Sequence, residues 1–425
     1  MIGPDPANRA ALEADQLQQL RRLVGQLLQT NLFYAPRLRQ AGLDPQSLAH
    51  LDDFARLPFT TKAQLAQDQA QHPPCGSGLS YPIDHYTRLH QTSGTTSAPL
   101  RWLDTPQSWE WMLGHWRRVY REAGVGPGDR VFFAFSFGPF LGFWTAFEAA
   151  QSVGCLCIPG GGLSTAARLS LISEMRATVL CCTPTYALHL GEARAAAGVL
   201  APVRRVLVAG EPGGSVPAVR RRIESLWPQA RVHDHHGMTE VGPVSYEDPD
   251  RPGVLRVIET SYLAEVIDPV SLEPVQPGRA GELVLTTLGR IGSPLLRYRT
   301  GDLVRVKRFD DQTPPFIGLE GGVIGRVDDM VIVRGVNVYP SAVEDIARRF
   351  TDLAEYRVSV RSRAALCELE VEAEPAPACA DPAGLAAAFE LALRDALSLR
   401  IPVRAVTPGT LPRFEMKARR WVHQP

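Results

Sequence analysis

The hydrophobic pattern divides the chain into stretches of different period. Between residues 10 and 43, Leu12, Leu17, Leu20, Leu23, Leu27 and Leu28 recur on one apolar stripe, which predicts a helix. The Pro/Gly-rich stretch 72–82 predicts a loop. From about 100 to 240, helical patterns at 109–123, 141–153, 165–175 and 217–227 alternate with apolar runs at 129–135, 155–159, 178–182, 206–209 and 231–233. That alternation predicts an α/β fold, a mostly parallel sheet covered by helices, with ligands at the carboxyl ends of its strands. Between 254 and 335 the runs 263–267 and 282–286 alternate apolar with polar between Pro/Gly turns, predicting a mainly antiparallel β subdomain. Beyond Gly325 the pattern is α+β: strands at 330–334, 356–360, 367–372 and 403–406, a helix opening at Pro340, and another at Pro382 capped by Asp381. The expected division is a large domain over 1–325, with its β subdomain at about 254–325, and a small one over 326–425.

Composition narrows the function classes. At roughly 100–200 residues per domain, 425 residues exceed one unit. Lys and Arg number 45, as do Asp and Glu, so no global field draws the chain to nucleic acid or an anionic membrane. No apolar run reaches the roughly 18 residues of a membrane span, and no secretory signal is read at the N-terminus. The seven cysteines are odd in number and sit mostly in apolar runs, as in Cys155–Cys157 and Cys181-Cys182. Reduced, buried thiols in a cytoplasmic protein are expected, and these pairs lie too close within strands to chelate a metal.

Five motifs carry the candidate chemistry. Thr92-Ser93-Gly94-Thr95-Thr96-Ser97-Ala98-Pro99 offers hydroxyls and backbone N–H groups that suit phosphate oxygens, although alone it reads equally as a linker. His235-His236-Gly237-Met238-Thr239-Glu240 follows a strand, and its adjacent hydroxyl and carboxylate suit phosphate and Mg²⁺. Histidine ligation of a metal is not expected, because strand alternation puts His233 and His235 on one face and His236 on the other. Asp302, in Tyr298-Arg299-Thr300-Gly301-Asp302-Leu303, is a turn aspartate of the kind that binds a ribose diol, though on this motif alone an ordinary turn is the stronger reading. Gly325-Arg326-Val327-Asp328-Asp329 lies at the composition shift, where a hinge or a solvated linker fits. Lys417, in Leu411-Pro412-Arg413-Phe414-Glu415-Met416-Lys417, is a tail cation that matters only where the tail folds back on the phosphate site.

In this order the segments, with Gly210-Glu211-Pro212, resemble the adenylate-forming ligases, and within them phenylacetate-CoA ligase and its relatives. The resemblance runs from about Leu51 to the end. It implies that Thr92, Ser93, Gly94, Thr95 and Thr96 wrap the phosphates of ATP. It puts Gly210, Glu211 and Pro212, with the His235–Met238 segment, at the adenine, His236 standing where the family has a stacking aromatic. Thr239 would touch the α-phosphate and Glu240 hold Mg²⁺; Asp302, with Arg326 nearby, would bind the ribose. Lys417 matches the catalytic lysine and Asp328 the hinge about which a mobile C-terminal lid turns before CoA attacks. Catalysis joins two anions, so positive charge and positioning are what the site must supply.

The sequence departs from that pattern twice. Ser97 replaces a second glycine of the phosphate loop. Where relatives carry a zinc site, Tyr246-Glu247-Asp248, Leu255-Arg256 and Thr313-Pro314-Pro315-Phe316 contain no cysteine or histidine, so no zinc is expected and Arg256–carboxylate contacts stand in its place. By analogy the acyl pocket lies at Phe135, Phe137, Gly138 and Phe140, which favours an aryl or arylacetic acid, although alternate strand positions are also ordinary core. The implied activity is AMP-forming acid–CoA ligation with ATP, Mg²⁺ and CoA, in a homodimer. The alternatives are an acyl-AMP ligase that loads a carrier protein or an amine, and a deazaflavin-type cofactor adenylyltransferase.

Overall fold

The computed structural model describes residues 5–92, 99–309, 314–329, 331–333, 336–363, 366–414 and 418–424. The expected helix over 10–43 is two helices, α1 (Arg9–Thr30), which holds the whole leucine stripe, and α2 (Tyr34–Gln40). The break is chemical. The Asn31 side chain accepts from the Tyr34 amide at 2.9 Å and donates to the Gly78 carbonyl at 2.7 Å, closing one helix and opening the next. Helix α3 (Lys62–Gln71) follows, with a Thr61/Gln64 capping box.

The hairpin β1 (Arg88–Gln91) and β2 (Arg101–Asp104) brackets the Ser/Thr/Gly loop. Then α4 (Pro106–Glu122), β3 (Arg130–Phe133), α5 (Leu141–Ser152), β4 (Leu156–Pro159), α6 (Thr165–Glu174), β5 (Val179–Cys182), α7 (Pro184–Ala196), β6 (Arg205–Val208), α8 (Pro217–Leu226) and β7 (Arg231–Asp234) alternate. The strands form an all-parallel sheet in the order β4-β3-β5-β6-β7. One face packs on α4 and α5 through Val131, Phe133 and Ala149, the other on α6–α8 through Phe132, Leu180 and Ile223. Helix α7 escaped the periodicity reading: Ala187, Leu188, Leu190 and Gly191 are all buried, so no clean polar stripe remains.

The β subdomain starts earlier than its pattern indicated. After the short ladder β8 (Gly237–Met238) and β9 (Gly242–Pro243), the strands β10 (Ser245–Glu247), β11 (Val254–Val257), β12 (Tyr262–Ile267), β13 (Ala280–Thr287), β14 (Tyr298–Lys307) and β15 (Gly318–Arg326) make an antiparallel sheet, ordered β10-β11-β15-β14-β13-β12.

The C-terminal unit has β16 (Val331–Val333), β17 (Val336–Val338), α9 (Pro340–Ala347), β18 (Leu353–Arg363), β19 (Leu366–Pro375), α10 (Pro382–Leu397), β20 (Val403–Ala405) and β21 (Trp421–Gln424). Its mixed sheet runs β20-β19-β18-β21, and Val343, Val358, Val371, Phe389 and Leu393 form a core of its own. Asp381 caps α10 through the Gly384 amide at 2.8 Å, as its sequence indicated.

Candidate active site

The chemistry gathers beyond the carboxyl ends of β6 and β7 and against the middle of β14. After Asp234 the chain leaves the sheet. His235 turns inward: its Nδ1 lies 2.6 Å from the Ser245 carbonyl and its ring 4.3 Å from Trp116, so it packs as core. His236 points the other way and puts Nε2 2.9 Å from Asp302 Oδ2. The other Asp302 oxygen accepts from Arg326 at 2.9 Å, and Arg326 reaches on to Asp328 at 2.8 Å. Asp302 reaches this position through Gly301, whose φ of +76° only glycine adopts without strain and whose missing Cβ leaves room for Arg326. The ribose-type aspartate and the hinge-type aspartate are thus joined by one guanidinium.

Gly237–Met238 pairs with Gly242–Pro243, a tight ladder that presents Thr239 and Glu240 at its tip. The Glu240 carboxylate is buried and lies 3.3 Å from Lys62 Nζ and 3.4 Å from the Tyr298 hydroxyl. The tip is held from below by Arg290, which is fully buried. Arg290 donates to the Thr239 and Glu240 carbonyls at 2.9 and 2.8 Å and grips Asp104 of β2 through two bonds of 2.7 and 2.6 Å. One cation therefore ties the stem of the Ser/Thr/Gly loop to the carboxylate tip. Of that loop Thr92 is described and buried, its hydroxyl accepting from the Leu100 amide at 3.0 Å. Ser93, Gly94, Thr95, Thr96 and Lys417 lie outside the described residues.

Gly210, at φ +93°, turns the chain so that Glu211 accepts from the Thr185 amide at 2.8 Å and from the Ala418 amide of the tail at 2.9 Å. Burial raises the Glu211 carboxyl above its ordinary range, against the lowering effect of those donors. Asp234, the last residue of β7, is held by the Ser215 hydroxyl at 2.6 Å and pushed up to about 6 by burial.

The phenylalanine stretch is a loop after β3, not the strand its apolar run suggested. Phe135 stacks on Phe143 with centroids 3.7 Å apart; Phe137 meets Trp144 edge-on at 5.0 Å; the Trp144 indole donates to the Gly138 carbonyl at 3.0 Å. The Gln91 amide donates to the Pro139 carbonyl at 2.8 Å, so the aromatic loop, which ends at Phe140, abuts the stem of the phosphate-type loop.

In the segments compared with the relatives' zinc site, Arg256 lies 3.6 Å from Asp248 and 4.5 Å from the Phe309 ring centroid, while Glu247 is occupied by Arg220 and the Asp234 and Gly253 amides. Among the described residues, no three His, Cys, Asp or Glu side chains cluster as metal ligands.

Sequence reading missed Lys62, Arg290 and Asp104, and gave Tyr298 no role. A signal existed only for Lys62: a cation at the first position of a helix opposes the helix dipole, which is tolerable where a carboxylate faces it. Arg290 and Asp104 are 186 residues apart and carry no local pattern.

Comparison with known proteins agrees with this geometry. The AMP-binding enzyme family matches residues 50–289, and the AMP-binding enzyme C-terminal domain matches 335–424. Phenylacetate-coenzyme A ligase of Thermus thermophilus is 33% identical over 86% of this chain and 82% of its own; that of Pseudomonas putida is 31% identical over 88% and 85%. The crystal structure of 2-hydroxyisobutyryl-CoA ligase in the postadenylation state with 2-HIB-AMP superposes with a TM-score of 0.93 at 26% identity, covering 99% of this chain and 91% of that one. The same enzyme with 2-HIB-AMP and CoA in the thioesterification state gives 0.73 at 28% identity with the same coverage. The chain belongs to the AMP-binding enzymes, the adenylate-forming family, and within it to the phenylacetate-CoA ligase-like group.

Proposed function

We propose that this protein uses ATP to activate a carboxylic acid as acyl-AMP and transfers the acyl group to CoA, releasing AMP and pyrophosphate. The observation that carries this reading is the convergence of two buried carboxylates, Glu240 in the turn between β8 and β9 and Asp302 within β14, each facing a cation. Asp302 accepts the ribose hydroxyls, and His236, bonded to it, forms the edge of the adenine slot with Gly210, Glu211 and Pro212. Glu240 has one oxygen turned to Lys62 and Tyr298, an arrangement that fits Mg²⁺, which commonly takes one or two carboxylates plus substrate phosphates. Mg²⁺ would neutralise phosphate charge there. Thr239 and the 92–96 loop bind the phosphates, and Lys62 adds positive charge at the same edge. Lys417 brings its ammonium to the meeting of the acid's carboxylate and the α-phosphate, two anions that repel until a cation lies between them.

The domain boundary of this reading is residue 326, with Asp328 as hinge and the unit after it as the lid. The high likeness to a postadenylation structure and the lower likeness to a thioesterification structure support two lid orientations, of which this chain adopts the first. The aromatic loop at Phe135, Phe137, Gly138 and Phe140 supports an aryl or arylacetic acid. Zinc has no part in the proposal, since Glu247 and Asp248 are taken up by arginines. The reading also includes a homodimer, a cytoplasmic location and no nucleic-acid partner. Among the described residues no helix is long and apolar enough to cross a membrane.

ATP–pyrophosphate exchange with a panel of aromatic, arylacetic and aliphatic acids tests the first step, and thioester formation with free CoA the second. Exchange with no acid overturns the ligase. Transfer only to a pantetheinylated protein or an amine, or AMP attached to a deazaflavin, moves the chain to another acceptor.

A further inference from the structure

The tail crosses from the C-terminal unit to the nucleotide side and is fastened at both ends of a short span. At one end Arg420 is buried and paired to Glu355 by bonds of 2.6 and 3.1 Å, and β21 beyond it lies parallel to β18. At the other end the Ala418 amide donates to Glu211 at 2.9 Å. Glu211 has no freedom to follow a moving partner. Its second oxygen accepts from Thr185 in the first turn of α7, where the helix dipole favours an anion, and the left-handed Gly210 sets the loop before it. Ala418 moves with the C-terminal sheet and Glu211 with the parallel sheet, so the bond exists in one orientation of the two units. Ala418 is also the residue immediately after Lys417, and one peptide link fixes neighbouring Cα atoms 3.8 Å apart.

We propose that Glu211 is an orientation-specific latch: its carboxylate, docked on the N-terminus of α7, captures the amide next to Lys417 only while the lid stands in the adenylating orientation. Glu211 is then a positioning residue for the first half-reaction and is released before the second. This rests on the ligase reading above. A carboxylate suits the task because both its oxygens accept, and here both face N–H donors. An amide of the same shape accepts with one end only and turns a donor toward the other N–H.

Two variants attack the contact from opposite sides: Glu211→Gln, which keeps shape and removes the second acceptor, and Ala418→Pro, which removes the donor and leaves Glu211 intact. Each is expected to lower ATP–pyrophosphate exchange about tenfold through kcat, the scale of one charge-assisted hydrogen bond. Ala418→Pro, which changes no residue of the adenine slot, should leave thioester formation from supplied acyl-AMP at the wild-type rate, and Glu211→Gln should lose more in exchange than in thioester formation. The double variant should be no slower than either single one, as for two halves of one contact. Equal loss in both half-reactions for Ala418→Pro, or additive losses in the double variant, overturns the latch. A second measurement needs no turnover: the distance between spin labels on α3 and α10, placed with unnatural amino acids. The wild-type distance distribution should have a dominant population that shrinks in both variants; unchanged distributions overturn the proposal. If the wild-type chain exchanges pyrophosphate with no acid, the ligase reading fails, and the distance measurement still judges the latch.

Discussion

The floor of the site and the C-terminal unit are held by different physical means. In the floor, Arg290 and Asp104 are both fully buried and bind each other, and Arg290 also takes two carbonyls of the Glu240 tip. Between the units the described polar contacts are slight by comparison. They include the Ala218 amide to Asp345 at 3.2 Å, the Ser341 hydroxyl to the Ile324 carbonyl, and Glu211 to Ala418. The C-terminal unit has its own core around Val358, Val371 and Phe389, so it loses little by shifting. On the proposed reading, the groups that bind nucleotide throughout the reaction are those fixed by buried charge, and the group needed in one half of it is fixed by bonds weak enough to break.

Arg290→Ala puts that contrast under the greatest strain. It leaves the buried Asp104 carboxylate unpaired, so a loss of about 3–5 kcal/mol is expected in denaturant or thermal unfolding. Replacing both partners, as Arg290→Met with Asp104→Leu, should regain much of that stability without regaining exchange, because the Thr239 and Glu240 carbonyls stay unheld. Recovery of both would make the pair merely structural.

Next in size, Lys417→Ala should slow adenylation by about 10²–10³ and spare thioester formation from acyl-AMP, while Asp328→Pro should do the reverse by holding one lid orientation. Equal losses in both half-reactions would break the assignment of the lysine to one state. His236→Ala removes a charged hydrogen bond to Asp302, and about a tenfold rise in the KM for ATP is expected with little change in kcat.

Acid should loosen the floor before the C-terminal unit. Burial holds His90 and His235 down at about 4, and His115 and His233 at about 3, against an ordinary 6.5. Between pH 6.5 and 4 the unfolded chain binds more protons at these positions. Their contribution is complete above pH 6.5 and is lost as pH falls toward 4. Asp234, raised to about 6, acts in the opposite sense between its ordinary 3.8 and 6, and the Glu211 and Glu259 carboxyls, also raised by burial, act in the same opposite sense from a starting value near the lower end of the histidine window. The melting temperature should therefore drop from pH 7 to 5; a flat profile would contradict the burial of these histidines.

The smallest effect is expected at Lys62. Its side chain is half exposed, so Lys62→Met should change stability by about 0–1 kcal/mol in thermal unfolding. It should also lower the Mg²⁺ concentration needed for half-maximal exchange, because the competing cation is gone.

The sequence by itself determined the periodic elements and the local motifs. Alternating strand and helix patterns gave the parallel sheet, Asp381 before Pro382 marked α10, and the Gly301-Asp302 and His236–Glu240 segments carried their chemistry within a few residues. These are legible because hydrogen-bond period and turn conformation depend on neighbours in the chain. The single helix over 10–43 was wrong because Asn31 closes it with partners at Gly78 and Ser80, far along the sequence. Phe135 likewise left the strand for a loop. Only the tertiary structure turned His235 into the core and His236 onto Asp302, brought Lys62 to Glu240, seated Arg290 between β2 and the Glu240 tip, and set the Ala418 amide on Glu211. Such contacts have no period and no motif. They are chosen by burial, where a charge removed from water must find its partner wherever the fold has brought one.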